Sequence, residues 1–322
     1  MEQVTRPSAR VETALAGLRM VVKAGSWWRE VRRHRVSYVF MAPFMTVFFG
    51  LTVAPVVVAV YLSFTYFNML EPARWVGWAN YRSLLLDDDV FLIGVKNTLL
   101  FAFIYGPVSF FSSFTLAWLI NQLSRLRSLY TLSMYAPSIV SGIAISVVWL
   151  YFLAGDRYGL LNHLLMRLGV LDEPFLWLRD PRTTMPSIII VALWMSLGNQ
   201  FLVFLAGLQN VDPQLYEAAA IDGVRSRIQE LWFVTIPMMK PQFLFASINA
   251  VVASLSVFDI AVALAGLPSY LYAGHTIVTH LYDYAFIRFE MGYAAAIAVL
   301  LFLLTFATGR LAFRMFSTHG AY

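Results

Sequence analysis

Six long stretches with no charge, or with a single charge, recur along this chain and constrain its fold more than any other feature. A helix that crosses a bilayer needs about 20 mostly apolar residues, and each stretch is long enough. Only 13% of the residues are charged and 60% are apolar, whereas a soluble domain carries about 25% charged residues. Buried helices of a soluble protein would rarely recur in this way, so the stretches predict membrane spans. They cover residues 36–70, 97–124, 128–155, 183–211, 241–282 and 291–309.

The predicted fold is all-α, a polytopic membrane protein with about six transmembrane helices. In lipid the backbone polar groups must be satisfied within each segment, which favours helices, and the shorter alternating segments of a β-barrel are not seen. We assign one span to 241–282, because Gly266, Pro268 and Gly274 predict an irregular segment where the chain leaves the membrane. The first stretch is too long for a signal peptide and is expected to be a retained helix.

The distribution of Lys and Arg predicts the orientation. Residues 1–35 and the loop 209–240 are rich in these cations, which places both of them, and both termini, in the cytoplasm. We therefore divide the chain into a basic cytoplasmic segment 1–35, a transmembrane domain 36–315 and a tail 316–322. Within the first segment, a helix on the membrane surface and a basic tail both fit. In a protein surrounded by membrane lipid, the net charge of +5 does not indicate nucleic-acid binding.

The loop 209–240 carries the strongest local signals. Asp212 suits a helix N-cap and Pro213 the first helical position, residues 217–220 are strong helix formers, and Gly223 suits a left-handed C-terminal residue, so the loop predicts a helix of about nine residues. A short helix of small residues that projects from a membrane fits a groove on a partner protein. An ordinary connector fits the same residues, and the physical argument alone leaves both open.

This loop resembles the EAA loop of ABC importer permeases, which reads Glu-Ala-Ala, three residues, Gly, and later Ile-x-Leu-Pro. The segment from Gly223 to Pro237 is one residue longer here than in the usual pattern. The resemblance implies the type I importer permease fold and a loop that couples the spans to an ATPase. The matching residues are Glu217, Ala218, Ala219, Asp222, Gly223 and Pro237.

Weaker motifs, in the same order along the chain, resemble the sugar-uptake, maltose-permease-like branch of these permeases. That resemblance implies a second permease subunit, two ATPase subunits and an external solute-binding protein as partners. It also implies that this chain is non-catalytic and has no cofactor, with ATP and Mg²⁺ bound by the ATPases. The absence of a Walker A phosphate loop agrees. The motifs are Gly77-Trp78-Ala79-Asn80-Tyr81, Asn97-Thr98, Phe258-Asp259 and Gly292-Tyr293-Ala294-Ala295-Ala296.

Asp259, the one charged residue within 241–282, is a candidate for the substrate path, together with Asn249 and Ser256, which would share its face of a continuous helix. A carboxylate at membrane depth usually meets a partner or a wet cavity, and it is a good acceptor for sugar hydroxyls. Two other roles stay open, a hydrogen-bond network between helices and simple solvation. A continuous helix from Pro241 would carry Asp259 roughly 27 Å, close to the external boundary of the membrane.

Two other functions are weaker alternatives. A secondary transporter of a small polar solute usually shows internal repeats and several intramembrane charges, and a membrane-bound enzyme needs clustered His, Asp or Glu. Neither pattern is found. His275 and His280 are five residues apart, which is off the i, i+4 spacing of a helical zinc pair, so no metal site is predicted. The chain has no cysteine, which excludes disulfides and cysteine-ligated metals.

The orientation can be tested by labelling, because the chain is free of cysteine. A single cysteine at Ser226, in the predicted cytoplasmic loop, should react with a membrane-impermeant thiol reagent only after the cells are opened. Labelling of this cysteine in intact cells would contradict the assigned orientation.

Overall fold

The structure is a computed structural model that describes residues 32–123, 125–140 and 142–316. It forms two compact units, one that ends at Val58 and one that begins at Ala59. Helices dominate both units. The α-helices are Arg35–Phe48, Ala54–Leu62, Ala79–Leu86, Asp89–Asn121, Arg127–Ile139, Gly142–Phe152, Leu160–Arg167, Thr184–Ser196, Asn199–Gln209, Pro213–Ile221, Arg227–Glu230, Ile236–Met238, Lys240–Leu255, Asp259–Ala265, Ile277–Tyr282 and Met291–Phe316.

Shorter elements join these helices. Strands Thr65–Tyr66 and Arg74–Trp75 form an antiparallel hairpin in which Thr65 lies opposite Trp75. A 3-10 turn covers Tyr270–Tyr272. The π-helical turns, each with one residue more than an α-turn, are Phe49–Val53, Leu231–Thr235 and Asp283–Ile287.

The described residues contain five helical segments that are long and apolar enough to cross a membrane, and a bent helix pair that raises the number to six. This confirms the prediction of about six spans. The bent pair turns by 96° between Ile139 and Gly142. Numbered in chain order, spans 1 to 6 are Arg35–Leu62, Asp89–Asn121, the pair Arg127–Ile139 and Gly142–Phe152, Thr184–Gln209, Lys240–Ala265 and Met291–Met315.

The stretch 241–282 holds one span, as predicted from its glycines and proline. Span 5 ends at Ala265, and Gly266 follows with φ +77°. The chain then runs through an irregular loop to the short helix Ile277–Tyr282, whose N-cap Thr276 accepts a hydrogen bond from the backbone N–H of Thr279. The loop has its own buried side chains, so it is an ordered part of the fold.

Aromatic side chains pack spans 2, 4 and 5 together. Phe110 meets Phe204 edge to face at 5.2 Å between ring centroids, and Phe114 meets Phe243 in the same way at 5.0 Å. Such pairs contribute about 0.5–1.5 kcal/mol each beyond the area they bury. Because lipid tails are as apolar as these rings, close packing rather than escape from water holds membrane helices together. This core also supports the loop that leaves span 4.

The start of span 6 lies directly against the hairpin. The backbone N–H of Gly292 donates to the carbonyl of Phe67 at 3.0 Å, and a Cβ on Gly292 would lie 2.1 Å from the carbonyl oxygen of Thr65. Asn80 binds the same hairpin, because its amide donates to the carbonyls of Ser63 and Thr65, both at 2.9 Å. The motif residues Asn80 and Gly292 thus fix one structural element from two sides.

We expect Gly292→Val to destabilise the folded protein, because a branched side chain at this position must push the hairpin backbone away. Overpacking of this kind costs about 1–3 kcal/mol or more. The matched control is Gly309→Val on the same helix, where an added Cβ meets no atom within 4 Å. Thermal unfolding of the detergent-purified protein measures both variants. Equal midpoints for the two would show that the contact of Gly292 with the hairpin does not matter for stability.

Candidate functional site

The EAA helix, Pro213–Ile221, forms as its sequence predicts. The side chain of Asp212 accepts a hydrogen bond from the backbone N–H of Gln214 at 2.9 Å, and Pro213 opens the first turn. Gly223 ends the turn with φ +95°, a conformation that glycine adopts without a steric cost. The short helix therefore has defined ends and a fixed direction.

The EAA helix has an exposed face and a packed face. Glu217, Ala218, Asp222 and Gly223 are exposed, as is Pro237 at the end of the loop. Ile221 is also exposed, at 87% of its surface. On the other face, Tyr216 and the half-buried Ala219 pack against a hydrophobic cluster that joins the loop residues Val211 and Val234 to side chains of spans 2, 4 and 5. A partner bound to the exposed face could therefore act on these spans through this cluster.

The second helix of the loop is tied to the first. Ser226 and Gln229 form a reciprocal capping box at its start, and the hydroxyls of Tyr216 and Thr235 are 3.0 Å apart. The helix widens into the π-turn Leu231–Thr235 before it reaches Pro237. A π-turn takes up one extra residue without ending the helix, so the chain runs on from the second helix to Pro237 without a break in the helical backbone.

Two adjoining cavities, of about 490 and 380 Å³, lie among spans 2 to 5. The three predicted path residues line them: Asn249 the larger cavity, and Ser256 and Asp259 the smaller one. The structure therefore brings these three residues to one region. Both cavities are also lined by Tyr105, Met195, Ser196 and Ala253.

Three spans break where they line these cavities. Span 3 breaks between Ile139 and Gly142, span 4 between Ser196 and Asn199, and span 5 between Leu255 and Asp259. The break in span 5 corrects the prediction of one continuous helix, so Asn249 and Asp259 reach the cavities from separate helices and not along one helix face. Irregular backbone at membrane depth is tolerated where it lines a cavity, and broken helices form the solute sites of many transporters.

The break in span 4 lies in close contact with span 3. A Cβ on Gly198 would collide with the side chain of Ser138, so glycine at this position lets the Ser138 side chain lie against the backbone of span 4. Ser138 itself lines the smaller cavity. The contact thus places a hydroxyl of span 3 beside the breaks in spans 4 and 5.

Asp259 is exposed, and within the described part of the chain its carboxylate forms no hydrogen bond or ion pair. A network between the helices of this chain, one of the three predicted roles, therefore has no support among the described residues. The carboxylate faces the smaller cavity and stays available to a solute, to water or to a partner subunit.

A second polar site, which sequence reasoning missed, joins spans 2 and 6 through the loop after span 5. The ring nitrogens Nε2 of His275 and Nδ1 of His280 are 3.0 Å apart. His280 Nε2 lies 3.0 Å from Asp88 Oδ2, which also accepts a hydrogen bond from the Tyr293 hydroxyl at 2.8 Å. Both imidazoles are buried. The five-residue spacing of the histidines excludes a helical zinc pair but does not reveal this direct contact.

Asn97 and Thr98, the residues of the Asn-Thr motif, hold the same loop. The Asn97 amide donates to the carbonyls of Tyr272 at 3.0 Å and His275 at 2.9 Å. The Thr98 hydroxyl accepts a hydrogen bond from the backbone N–H of Ile277 at 2.9 Å. We call Asp88, Asn97, Thr98, His275, His280 and Tyr293 the loop lock.

The electrostatics of the loop lock favour neutral histidines beside an ionised carboxylate. Burial and the neighbouring His280 lower the pKa of His275 to about 4, and burial also lowers the pKa of His280. Burial opposes ionisation of Asp88, but hydrogen bonds from the Phe91 backbone, Tyr293 and His280 outweigh it and lower the pKa of Asp88.

These charges fix the direction of the hydrogen bonds. An ionised Asp88 accepts from His280 Nε2, so His280 Nδ1 accepts from His275 Nε2. His275 Nδ1 is then an unprotonated nitrogen, and it is buried with no hydrogen-bond partner among the described residues. A proton on this atom would be a buried, unsatisfied donor. Across the described residues, no group of His, Cys, Asp and Glu is arranged to hold a metal ion.

The described helices are those of a multi-pass membrane protein. Comparison with known proteins identifies the family to which the chain belongs. Residues 113–315 match the family described as "Binding-protein-dependent transport system inner membrane component". The chain belongs to this family. It is therefore an inner-membrane component of a binding-protein-dependent transport system and a permease of the ABC importer type.

Two relatives cover most of the chain. The probable ABC transporter permease protein YesP of Bacillus subtilis is 28% identical over 84% of this chain and 87% of its own length. The arabinooligosaccharides transport system permease protein AraP of Halalkalibacterium halodurans is 30% identical over 84% of each chain. A chain in the crystal structure of a bacterial ABC transporter involved in the import of the acidic polysaccharide alginate has the same fold, with a TM-score of 0.76 and 22% identity over 90% of this chain and 98% of that one.

The loop lock predicts a loss of stability in mild acid. His275 is neutral in the folded protein down to about pH 4, whereas an unfolded histidine takes up its proton near pH 6.5. Its stabilising contribution is therefore complete above pH 6.5 and is lost as the pH falls from 6.5 to about 4. At pH 5 the loss is about 2 kcal/mol. Thermal unfolding of the purified protein between pH 7.5 and pH 5 measures it.

His275→Gln, which keeps a donor at the same place and does not titrate, should flatten this pH dependence. The exposed His163 provides the matched control, since His163→Gln should leave the profile unchanged. A wild-type unfolding midpoint that is the same at pH 7 and pH 5 would contradict the assignment of the protons.

Proposed function

We propose that this chain is one of two membrane-spanning subunits of an ABC importer that carries a sugar or oligosaccharide. An external solute-binding protein delivers the saccharide, and two separate ATPase subunits bind ATP and Mg²⁺ and drive the cycle. One observation carries the proposal: the same chain has both cavities at three span breaks and an exposed EAA helix. The packed face of that helix meets the hydrophobic cluster of the same spans.

The lining of the cavities supports a saccharide as the solute. Five side chains with a hydroxyl or an amide line the larger cavity, and both kinds of group can donate and accept hydrogen bonds, as a sugar hydroxyl does. Apolar surface lies between them, as in sites that bind the faces of small molecules. AraP, a relative over most of the chain, carries arabinooligosaccharides in its name. The five residues are Tyr105, Ser196, Asn199, Gln200 and Asn249.

The mechanism follows from two states of the bundle. Ligands shift a two-state equilibrium only if they bind the states unequally. ATP on the partner subunits favours one state and its hydrolysis products favour the other, and the EAA helix passes the difference to spans 2, 4 and 5. In the predicted orientation, both termini and the EAA helix face the cytoplasm and the loop lock lies on the external side. The chain itself is non-catalytic and needs no cofactor.

The direct test is uptake by proteoliposomes that contain the complete complex and are given the binding protein and a panel of labelled neutral and acidic oligosaccharides. We expect uptake that needs both ATP inside and the binding protein outside. Uptake that runs without ATP and follows an ion gradient would instead support a secondary transporter.

Gly223→Val should uncouple transport from ATP hydrolysis. The added side chain meets no neighbour within 4 Å, so its effect comes from strain at φ +95°, where a branched residue is disfavoured and Asn is tolerated better. We expect ATPase stimulation by the loaded binding protein to fall at least about tenfold with Val, as for about 1.4 kcal/mol or more of misplacement, and less with Gly223→Asn. Yield of the assembled complex is the control. Normal stimulation with Val would refute the proposed role of this turn.

A further inference from the structure

Asp259 is the single charged side chain among the residues that line the two cavities at the span breaks. The other polar groups that face these cavities are hydroxyls and amides, and no Lys, Arg or His is among the lining residues. The carboxylate has no partner within the described part of the chain, so its charge is not offset there.

We infer that Asp259 sets the charge selectivity of the path, which accepts neutral or cationic saccharides and rejects those with carboxylate or phosphate groups. This inference rests on the proposed saccharide function and narrows it. An anionic solute that enters the smaller cavity loses hydration and meets a like charge, with no cation of this chain to compensate. A neutral saccharide has no charge that must be dehydrated and meets no like-charge repulsion. Its hydroxyls can donate hydrogen bonds to the carboxylate.

The helix ends at the cavities do not change this balance. Each break places the C-terminus of one helix beside the N-terminus of the next, so partial charges of opposite sign lie together and largely cancel. Asp259 is therefore the one formal charge of this chain among the residues that line the smaller cavity.

A third cavity carries charges of both signs. It has a volume of about 710 Å³, lies between the loop after span 3 and the loop after span 5, and is lined by both Asp156 and Arg179. A solute of either charge finds a counter-charge there, so the lining of this cavity gives no reason to expect rejection of anions.

Uptake by proteoliposomes that hold the complete complex tests the inference. The probes are an oligosaccharide of uronic acids and the methyl ester of the same oligosaccharide, each at a concentration that saturates the binding protein. We expect the neutral ester to enter at least about tenfold faster than the acid, the size expected for like charges a few ångströms apart. Asp259→Asn should bring the two rates to within about threefold of each other, because the repulsion is removed.

The control Asn249→Ala alters the larger cavity without changing its charge, so it should slow both probes and keep their ratio. Equal uptake of acid and ester by the unmodified complex, or an unchanged ratio in Asp259→Asn, would overturn the inference. Uptake of neither probe would count against saccharide transport itself, and the selectivity of Asp259 is then decided by a second measurement that needs no binding protein.

That measurement uses the absence of cysteine in this chain. Ser256→Cys places one thiol in the smaller cavity with Asp259, and the mass of the intact chain reports its modification by cationic and anionic methanethiosulfonates in the complex. Each rate is divided by the rate of the same reagent with a free thiol in solution. After this correction the cationic reagent should react about tenfold faster than the anionic one, and Asp259→Asn should remove the difference. Equal rates in the presence of Asp259 would overturn the inference.

Discussion

Every backbone N–H and C=O group in the hydrocarbon layer needs a hydrogen-bond partner from the protein, and this need shapes the whole chain. It makes the spans helical and makes any interruption costly unless water or protein meets the freed groups. Spans 3, 4 and 5 are nevertheless interrupted, and the interruptions line adjoining cavities. A path for a polar solute needs polar groups inside the membrane. Helix breaks at a common site supply such groups, because they free backbone N–H and C=O groups there.

The motif residues outside the EAA loop have a structural task in common. Asn80 and Gly292 hold the hairpin, while Asn97 and Thr98 hold the loop after span 5. These contacts join the start of span 2, the loop after span 5 and the start of span 6, and the Asp88–His280–His275 chain joins the same elements. One end of the bundle is thus fastened by many specific hydrogen bonds, whereas the EAA helix at the other end rests mainly on an apolar cluster, with the hydroxyl contact of Tyr216 and Thr235 beside it.

The sequence predicts those features of the structure that neighbouring residues determine, and it does not predict contacts between residues far apart in the chain. The spans follow from uncharged stretches and the EAA helix from the adjacent caps Asp212 and Gly223, so both were predicted. The break at 256–258 contains neither Gly nor Pro, and a continuous helix was expected there. The contact of His280 with Asp88 joins residues 192 positions apart, and one sequence holds no signal for such a pair. The spans and the EAA helix could therefore be predicted, whereas the break in span 5 and the polar partners across the fold could not.

The central claim is that the EAA helix and the cavities at the span breaks move as one device. The most direct test is a single cysteine at Ala253, which lines both cavities, in the assembled complex in membranes. Its reactivity toward impermeant reagents is measured from each side, without nucleotide and with ATP trapped on the ATPases. The account predicts that trapped ATP changes the reactivity from the two sides in opposite directions, one rising as the other falls. Reactivity that stays the same from both sides while the complex binds and hydrolyses ATP would contradict it.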